Sequence, residues 1–338
     1  MVSWPTFASL VLASQILLSQ SALAQSADAT AEQTSRADNQ IILNLAAFDT
    51  RDMADQSPAH ADQHWRFAQN ETLPDISGPP VSSGGILREH RPYSFGRDIG
   101  TVGWEAAAVF LEMTATRLPK AIRRGDSFTF ADDHFFGQGS YNLGMDKVVH
   151  GYKAYVITDV FQQLIERKTG DRKSAAVTSA LLTFGLMLYG EAYDGLDKDN
   201  GFSYRDKLAS TVGIGISLLR NTVPGIEETF DIRQLRRNTG RFSEQKYLVA
   251  LQLSGFKGLE ESPLRFIELQ SGYYVNDFKP GGGAGATTRN PKRHFFVGIG
   301  LNLQEIFFKT HRSRLSRWAW TALNYVQIPY TAAHVDVK

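Results

Sequence analysis

Between residues 100 and 220 the apolar positions recur with the period of an α-helix. The period predicts four helices, over residues 100–118, 142–168, 173–194 and 204–220, with a tight turn at Gly170-Asp171 between the second and the third. Ser203, followed three residues later by Asp206, marks the start of the fourth helix. Small residues recur every fourth position in that helix, which predicts a close approach to a neighbour: Ala209, Gly213 and Ser217.

From Tyr247 onward the period changes to two, which is typical of β-strands. The clearest alternation is the run Phe295, Val297, Ile299 and Leu301. We expect about four strands, or five if residues 41–48 add one, and a closed single-chain outer-membrane barrel needs at least about eight. The sequence therefore predicts an α+β fold, a bundle of about four helices followed by a small antiparallel β-sheet.

The N-terminus has the features of a secretory signal. Residues 1–24 carry no charged side chain, residues 7–18 are almost entirely apolar, and Ala22-Leu23-Ala24 fits the small-x-small cleavage pattern. We expect cleavage before Gln25 and a location in the periplasm or at the outer membrane. The chain contains no cysteine, so neither disulfides nor lipid attachment through an N-terminal cysteine is expected.

These patterns divide the chain into four segments. They are a signal peptide over residues 1–24, a polar and largely irregular linker over 25–96, a helical bundle over 97–222, and an antiparallel β region over 223–338. The last segment includes a basic and aromatic stretch, residues 309–320. The formal net charge is only +1, from 36 Lys and Arg against 35 Asp and Glu, so nucleic acid is not an expected partner.

The predicted helical hairpin brings ionisable residues together. If helices 142–168 and 173–194 are antiparallel, His150 lies beside Glu191, and Asp146 lies near Asp194. Asp146 and His150 are four residues apart and Glu191 and Asp194 are three apart, so each pair shares a helix face. Asp206 starts the next helix at the same end of the bundle.

Three blocks in this region resemble a known family. Asp146-Lys147-Val148-Val149-His150, Glu191-Ala192-Tyr193-Asp194 and the block from Gly201 to Asp206 resemble the D-K-x-x-H, E-x-x-D and G-F-S-x-x-D blocks of the YfiM-like family. The resemblance covers about residues 140–220 and implies a predicted periplasmic lipoprotein of uncharacterised function, more distantly similar to VanZ-like membrane proteins. This chain differs in lacking the lipid-accepting cysteine and in having Ser210 where Asn or Asp is usual.

Three hypotheses account for the cluster. It is a satisfied structural network in which Asp206 caps its helix and Lys147 and Arg205 neutralise carboxylates. It is a binding pocket for a lipid head group, glycan or peptide, using Lys147, Asp206 and Arg205. Or it is catalytic, with His150 as base and Glu191 and Asp194 orienting it or holding a divalent metal. The catalytic candidates are His150, Glu191, Asp194 and Asp146.

No metal or other cofactor is predicted outright, because one histidine among carboxylates without cysteine is not a zinc signature. Whether the protein is an enzyme stays open at this point.

Membrane contact depends on two segments. Residues 174–190 are uncharged, and we interpret them as a buried core helix rather than a membrane span. The basic and aromatic stretch suits either an anionic membrane interface or an exposed loop. Four arginines are expected to coat an exposed connector: Arg233, Arg236, Arg237 and Arg241.

We therefore expect an exported cell-envelope protein with a binding or structural role at the periplasmic face of a membrane. The alternative is a hydrolase or transferase that acts on an envelope lipid or glycan through His150, Glu191 and Asp194. A membrane surface, an envelope lipid or a glycan are the expected partners, and the sequence identifies no protein partner.

Overall fold

The computed structural model describes residues 92–124, 127–131, 134–136, 141–197, 201–236, 245–278, 287–309 and 314–337. Its described residues from Ser94 onward belong to one compact unit. The predicted signal peptide, the possible strand at residues 41–48 and almost all of the predicted linker lie outside the described residues.

In the described part of the chain, five helices precede the short helix that leads into the sheet. They are α1 (Phe95–Thr101), α2 (Gly103–Arg124), α3 (Met145–Thr169), α4 (Arg172–Gly195) and α5 (Tyr204–Thr222). The long helices α3, α4 and α5 confirm three of the predicted helices to within a few residues. The predicted helix 100–118 is instead two helices that meet at the buried residue Val102, and the second continues through Pro119.

The turn between α3 and α4 sets the register of the hairpin. Gly170 ends α3 with a positive φ of 72°, which a residue without a side chain adopts at little cost. Asp171 then caps α4, because its side chain accepts a hydrogen bond from the backbone N–H of Ser174. A short, well-defined turn of this kind keeps the two helices antiparallel and fixes which residues face each other.

The second half of the chain forms a six-stranded sheet. A short helix α6 (Ile226–Thr229) leads into β1 (Phe230–Arg236), β2 (Gln245–Gln252), β3 (Ile267–Phe278) and β4 (Thr287–Leu301). Helices α7 (Leu303–Phe307) and α8 (Arg314–Leu323) follow, and then β5 (Val326–Gln327) and β6 (Ala332–Val337). The strand order is β5-β1-β2-β3-β4-β6. All neighbours are antiparallel except β1 and β5.

The main core lies between α3 and the sheet. Tyr152 and Tyr155 of α3 are buried against Tyr247, Tyr273 and Tyr325. The hydroxyl of Tyr152 donates to the backbone oxygen of Tyr325 at 2.6 Å, so the polar end of this buried ring is satisfied. The α+β class is confirmed, and the helical bundle packs directly on the sheet.

The prediction for the arginines is wrong at Arg233. This residue is in strand β1, is 4% exposed, and pairs with Asp231 and Glu268 at 2.9 Å each. Charged residues alternate with apolar ones in β1, and the sequence does not show that the charged side is the buried side. The described residues form six strands rather than the expected four or five, because β1 was not recognised and β5 is only two residues long. Arg236 is half-buried, and Arg237 and Arg241 lie outside the described residues.

Candidate functional site

The first candidate site is a polar cluster at one end of the bundle, formed by the ends of three helices. The first turns of α3 provide Asp146, Lys147 and His150, and the last turns of α4 provide Glu191 and Asp194. Helix α5 adds Asp206 in its first turn. A helix cap fixes the position of Asp206. The side chain of Ser203 accepts a hydrogen bond from the backbone N–H of Asp206 at 3.0 Å, so α5 is capped by Ser203 and not by Asp206 as the structural hypothesis expected.

His150 and Glu191 are neighbours, as the hairpin register predicts. Nδ1 of His150 lies 3.4 Å from Oε1 of Glu191, and Nε2 lies 3.7 Å from Oδ1 of Asp146. The side chain of Glu191 is only 2% exposed, and its second oxygen accepts the backbone N–H of Ser203 at 3.4 Å. The imidazole is therefore held between a buried carboxyl group and a partly exposed one.

Burial decides the charge of this pair. It raises the pKa of Glu191 to about 9, with a further contribution from the negative charges of Asp194 and Asp206. It also lowers the pKa of His150 to about 4, because desolvation outweighs the attraction of Asp146. At neutral pH, Glu191 is thus a carboxylic acid and His150 is a neutral imidazole.

Lys147 holds two of the helices together. Its ammonium group lies 2.6 Å from Oδ1 of Asp206 and 3.0 Å from Oδ2 of Asp146, and its side chain is 3% exposed. Burial alone would raise the pKa of Asp146. The attraction of His150, which is protonated at the low pH where Asp146 titrates, and of Lys147 outweighs burial, so the pKa is lowered. The lysine predicted as a binding residue is therefore already engaged with carboxylates.

Two predicted residues have partners of their own beside the cluster. Oδ1 of Asp194 lies 3.6 Å from Nε of Arg117 on α2. The guanidinium group of Arg205 lies over the ring of Tyr204, with its Cζ atom 4.8 Å from the ring centroid. Arg117 was not predicted from the sequence, and neither was Lys153, whose pKa is lowered by burial and by the charge of Arg117. The position of Lys153, one turn after His150, is the signal that could have identified it.

The cluster could hold a cation by its donor atoms. One ligand atom from each of Asp146, His150 and Asp206 can be chosen so that all three lie within 4.8 Å of one another. This set contains neither Glu191 nor Asp194, the two residues that the catalytic hypothesis gave as holding a divalent metal.

The second candidate is a surface that sequence analysis did not identify. The apolar side chains on one face of the sheet are exposed by 39% to 70%, and we call them the apolar sheet face: Val249, Leu251, Leu269, Phe295, Val297, Ile299, Leu301, Val335 and Val337. The strand register makes them contiguous, because Leu269 pairs with both Leu251 and Ile299, and Val297 pairs with Val335.

The opposite face of the same sheet is largely buried, and it carries charged and amide side chains beside a small apolar cluster of Leu235, Leu248, Ala250 and Phe296. Asp231, Arg233, Glu268 and Gln270 are all less than 5% exposed. Nη1 of Arg233 donates to both oxygens of Glu268, at 3.0 and 2.9 Å. The alternation in the sequence indicated the strands but not which set of side chains faces outward.

Helix α4 also has an exposed apolar side. Val177, Leu181, Phe184 and Leu188 follow helical spacing and are 41% to 52% exposed. By length and composition α4 could cross a membrane, although half of its most apolar stretch is buried in the protein. The expected core helix is therefore buried on one side only.

Comparison with known proteins gives one match. Residues 132–222 match the model of a family described as predicted periplasmic lipoprotein (DUF2279), and this segment contains every residue of the polar cluster. No curated protein and no solved structure matches the chain. The expected resemblance to a predicted periplasmic lipoprotein family is thereby confirmed at that level. Over residues 132–222 the chain is similar to the predicted periplasmic lipoproteins of this family, whose function is unknown.

Proposed function

We propose that this is an exported cell-envelope protein with a binding role at the periplasmic face of a membrane, and that the apolar sheet face contacts the lipid. The observation that carries the proposal is the polarity of the sheet. The charged residues Asp231, Arg233 and Glu268 are buried and paired, whereas the side chains of the apolar sheet face are exposed.

This polarity is the reverse of a sheet with one face in water, where polar side chains face outward. A sheet in contact with lipid has its apolar residues outside and its polar residues inside. Contiguous exposed apolar patches beyond a few hundred Å² mark interaction or membrane surfaces. The exposed side of α4 adds a second apolar surface, which supports contact with lipid on more than one side.

Two further observations support a location in the envelope. The matched family is described as periplasmic, and residues 1–24 have the pattern of a cleaved signal. The apolar sheet face offers a non-covalent contact through which the chain can associate with a membrane.

Vesicle flotation of the purified exported chain tests the proposal. We expect it to float with phospholipid vesicles, and we expect the double variant Val297→Glu with Ile299→Glu to lose at least about tenfold in partitioning, because charges would enter the lipid interface. Val297 and Ile299 are 50% and 59% exposed, so the substitutions leave the core intact.

The control places the same two charges on exposed helix positions, Thr211→Glu with Thr222→Glu. Each threonine hydroxyl donates only to a carbonyl one turn earlier, and the control should float like the wild type. Equal flotation of the sheet variant and the control, with both folded, would overturn the proposal.

The polar cluster supports a second function, a hydrolase or transferase that acts on an envelope lipid or glycan. The observation in its favour is that a neutral imidazole and a protonated carboxyl group lie 3.4 Å apart, which is an acid–base arrangement. If the pair is catalytic, Glu191→Gln should fold with a near-native melting temperature and fail to complement a deletion strain. If the pair is structural, the variant should lose about 1–3 kcal/mol of stability. Its function should then fall only as far as the amount of folded protein falls.

A further inference from the structure

The donor atoms of the polar cluster have the arrangement of a metal site. Asp146 and His150 are one turn apart on α3, and Asp206 faces them from the first turn of α5. A histidine nitrogen with two carboxylates suits a divalent transition metal, whereas Ca²⁺ and Mg²⁺ prefer oxygen ligands alone. Ligands about 2.1 Å from a tetrahedral ion lie roughly 3.4 Å apart. The 3.7 Å between Nε2 of His150 and Oδ1 of Asp146 is close to that spacing.

A second observation lies behind the histidine. Nδ1 of His150 is completely buried and has no hydrogen-bond partner among the described residues. It faces the carboxyl group of Glu191, which is 2% exposed and 3.4 Å away. In metal sites a carboxylate commonly holds the far nitrogen of the ligating histidine and so directs its other nitrogen to the ion. Glu191 is placed for that positioning role, with Nε2 directed toward Asp146.

Lys147 shows that the cluster is built around a positive charge. Its ammonium group lies between the two aspartates that would be ligands, within 3.0 Å of both. A divalent cation that binds these aspartates must displace the ammonium group, so the two cations compete for one place.

We propose that Asp146, His150 and Asp206 bind a divalent transition metal ion such as Zn²⁺ or Mn²⁺, in competition with the ammonium group of Lys147. Glu191 positions His150 and does not ligate. Asp194 is excluded from the ligand set because it faces Arg117 on α2.

Titration of the purified exported chain with ZnCl₂ and MnCl₂, followed by calorimetry and by melting temperature, tests this proposal. We expect binding of one ion per chain with a rise in melting temperature, and a much smaller effect of MgCl₂ and CaCl₂. His150→Gln and Asp206→Asn should each weaken binding at least tenfold, and Glu191→Leu, which removes the oxygen that faces Nδ1, should weaken it about 10–100-fold. His294→Gln, at a histidine that pairs with Asp336 on the sheet, is the control and should bind like the wild type.

The decisive variant is Lys147→Met, which removes the competing ammonium group and leaves two aspartates without their cation. We expect it to melt lower than the wild type without metal, to bind Zn²⁺ or Mn²⁺ more tightly, and to recover its melting temperature when the ion is added. A Lys147→Met protein that no ion rescues, together with a wild type that no ion stabilises, would overturn the proposal. Binding that survives both His150→Gln and Asp206→Asn would also overturn it.

Discussion

At the scale of single residues, Glu268 shows how the sheet keeps charges inside. Its carboxyl group accepts two hydrogen bonds from Arg233 and lies beside Asp231 and Gln270, and the residue is 0% exposed. Burial raises the pKa of Glu268, and the Arg233 charge and the Gln270 hydrogen bond counteract this only in part. The folded protein therefore binds a proton at Glu268 more strongly than the unfolded chain does.

This difference predicts a pH-dependent stability. A raised folded pKa gives stability that is fully present below the ordinary pKa of about 4.5 and is lost as the pH rises toward the folded pKa. The Glu268→Gln variant has no group that titrates at this position, so it does not lose this stability as the pH rises. The free energy of unfolding of the variant minus that of the wild type should therefore increase from pH 4.5 upward. Urea unfolding of both proteins from pH 4.5 to pH 8 measures it. A constant difference across that range would contradict the role of Glu268.

The polar cluster shows which contacts can be predicted at this scale. The proximity of His150 and Glu191 followed from helix periodicity and the Gly170-Asp171 turn, because both are local features. The insertion of Lys147 between Asp146 and Asp206 did not follow, since it depends on how α5 packs against α3. The contact between Asp194 and Arg117 did not follow either, because α2 and α4 are far apart in the sequence and meet only in the folded bundle.

At the scale of elements, α3 and α5 approach each other at a pair of glycines. A methyl group added at Gly213 would overlap the backbone oxygen of Gly151, and one added at Gly151 would come within 3.2 Å of the backbone oxygen of Ala209. The spacing of small residues in α5 predicted this close approach, but its partner on α3 was not predicted. The approach brings Asp206 to the same end of the bundle as Asp146.

Gly213→Ala should therefore destabilise the protein, although alanine favours a helix more than glycine does. We expect a loss of about 1–3 kcal/mol, because the backbones of α3 and α5 must separate. Gly215→Ala is the matched control on the same helix, with nothing within 4 Å of the added methyl group, and should gain about 0.5–1 kcal/mol. Chemical denaturation gives both values, and a stabilised Gly213→Ala protein would show that the helices are not in close contact there.

Strands were harder to predict than helices for a physical reason. The long helices bury one side against their neighbours, and their ends are marked by Gly170, Asp171 and Ser203. The sheet instead buries the charged residues Asp231 and Arg233 of β1 and leaves many apolar residues of the other strands exposed, so β1 resembles a connector in the sequence. Period two identified β2, β3 and β4 but could not determine which face is covered.

At the scale of the whole molecule, Arg220 connects the bundle to the sheet. Its side chain extends from α5, is 2% exposed, and lies 2.7 Å from Asp231 of β1 and 3.5 Å from Asp159 of α3. Asp159 also accepts hydrogen bonds from Tyr325 and Asn221, at 2.6 Å each. One buried cation thus stabilises carboxylates that belong to both halves of the fold.

Replacing this arginine should affect the stability of the whole unit. Arg220→Met leaves Asp231 and Asp159 short of a counter-charge in the interior, and removal of one partner of a buried ion pair costs about 3–5 kcal/mol. Arg172→Met is the control, since Arg172 pairs with Glu227 at 2.5 Å but is 44% exposed, and such pairs contribute about 0–1 kcal/mol. Urea unfolding followed by circular dichroism measures both.

Adding Asp231→Asn to Arg220→Met removes one stranded charge, so the double variant should lose less than the sum of the two single losses. Equal losses for Arg220→Met and Arg172→Met would mean that the charges at the junction of bundle and sheet do not stabilise it.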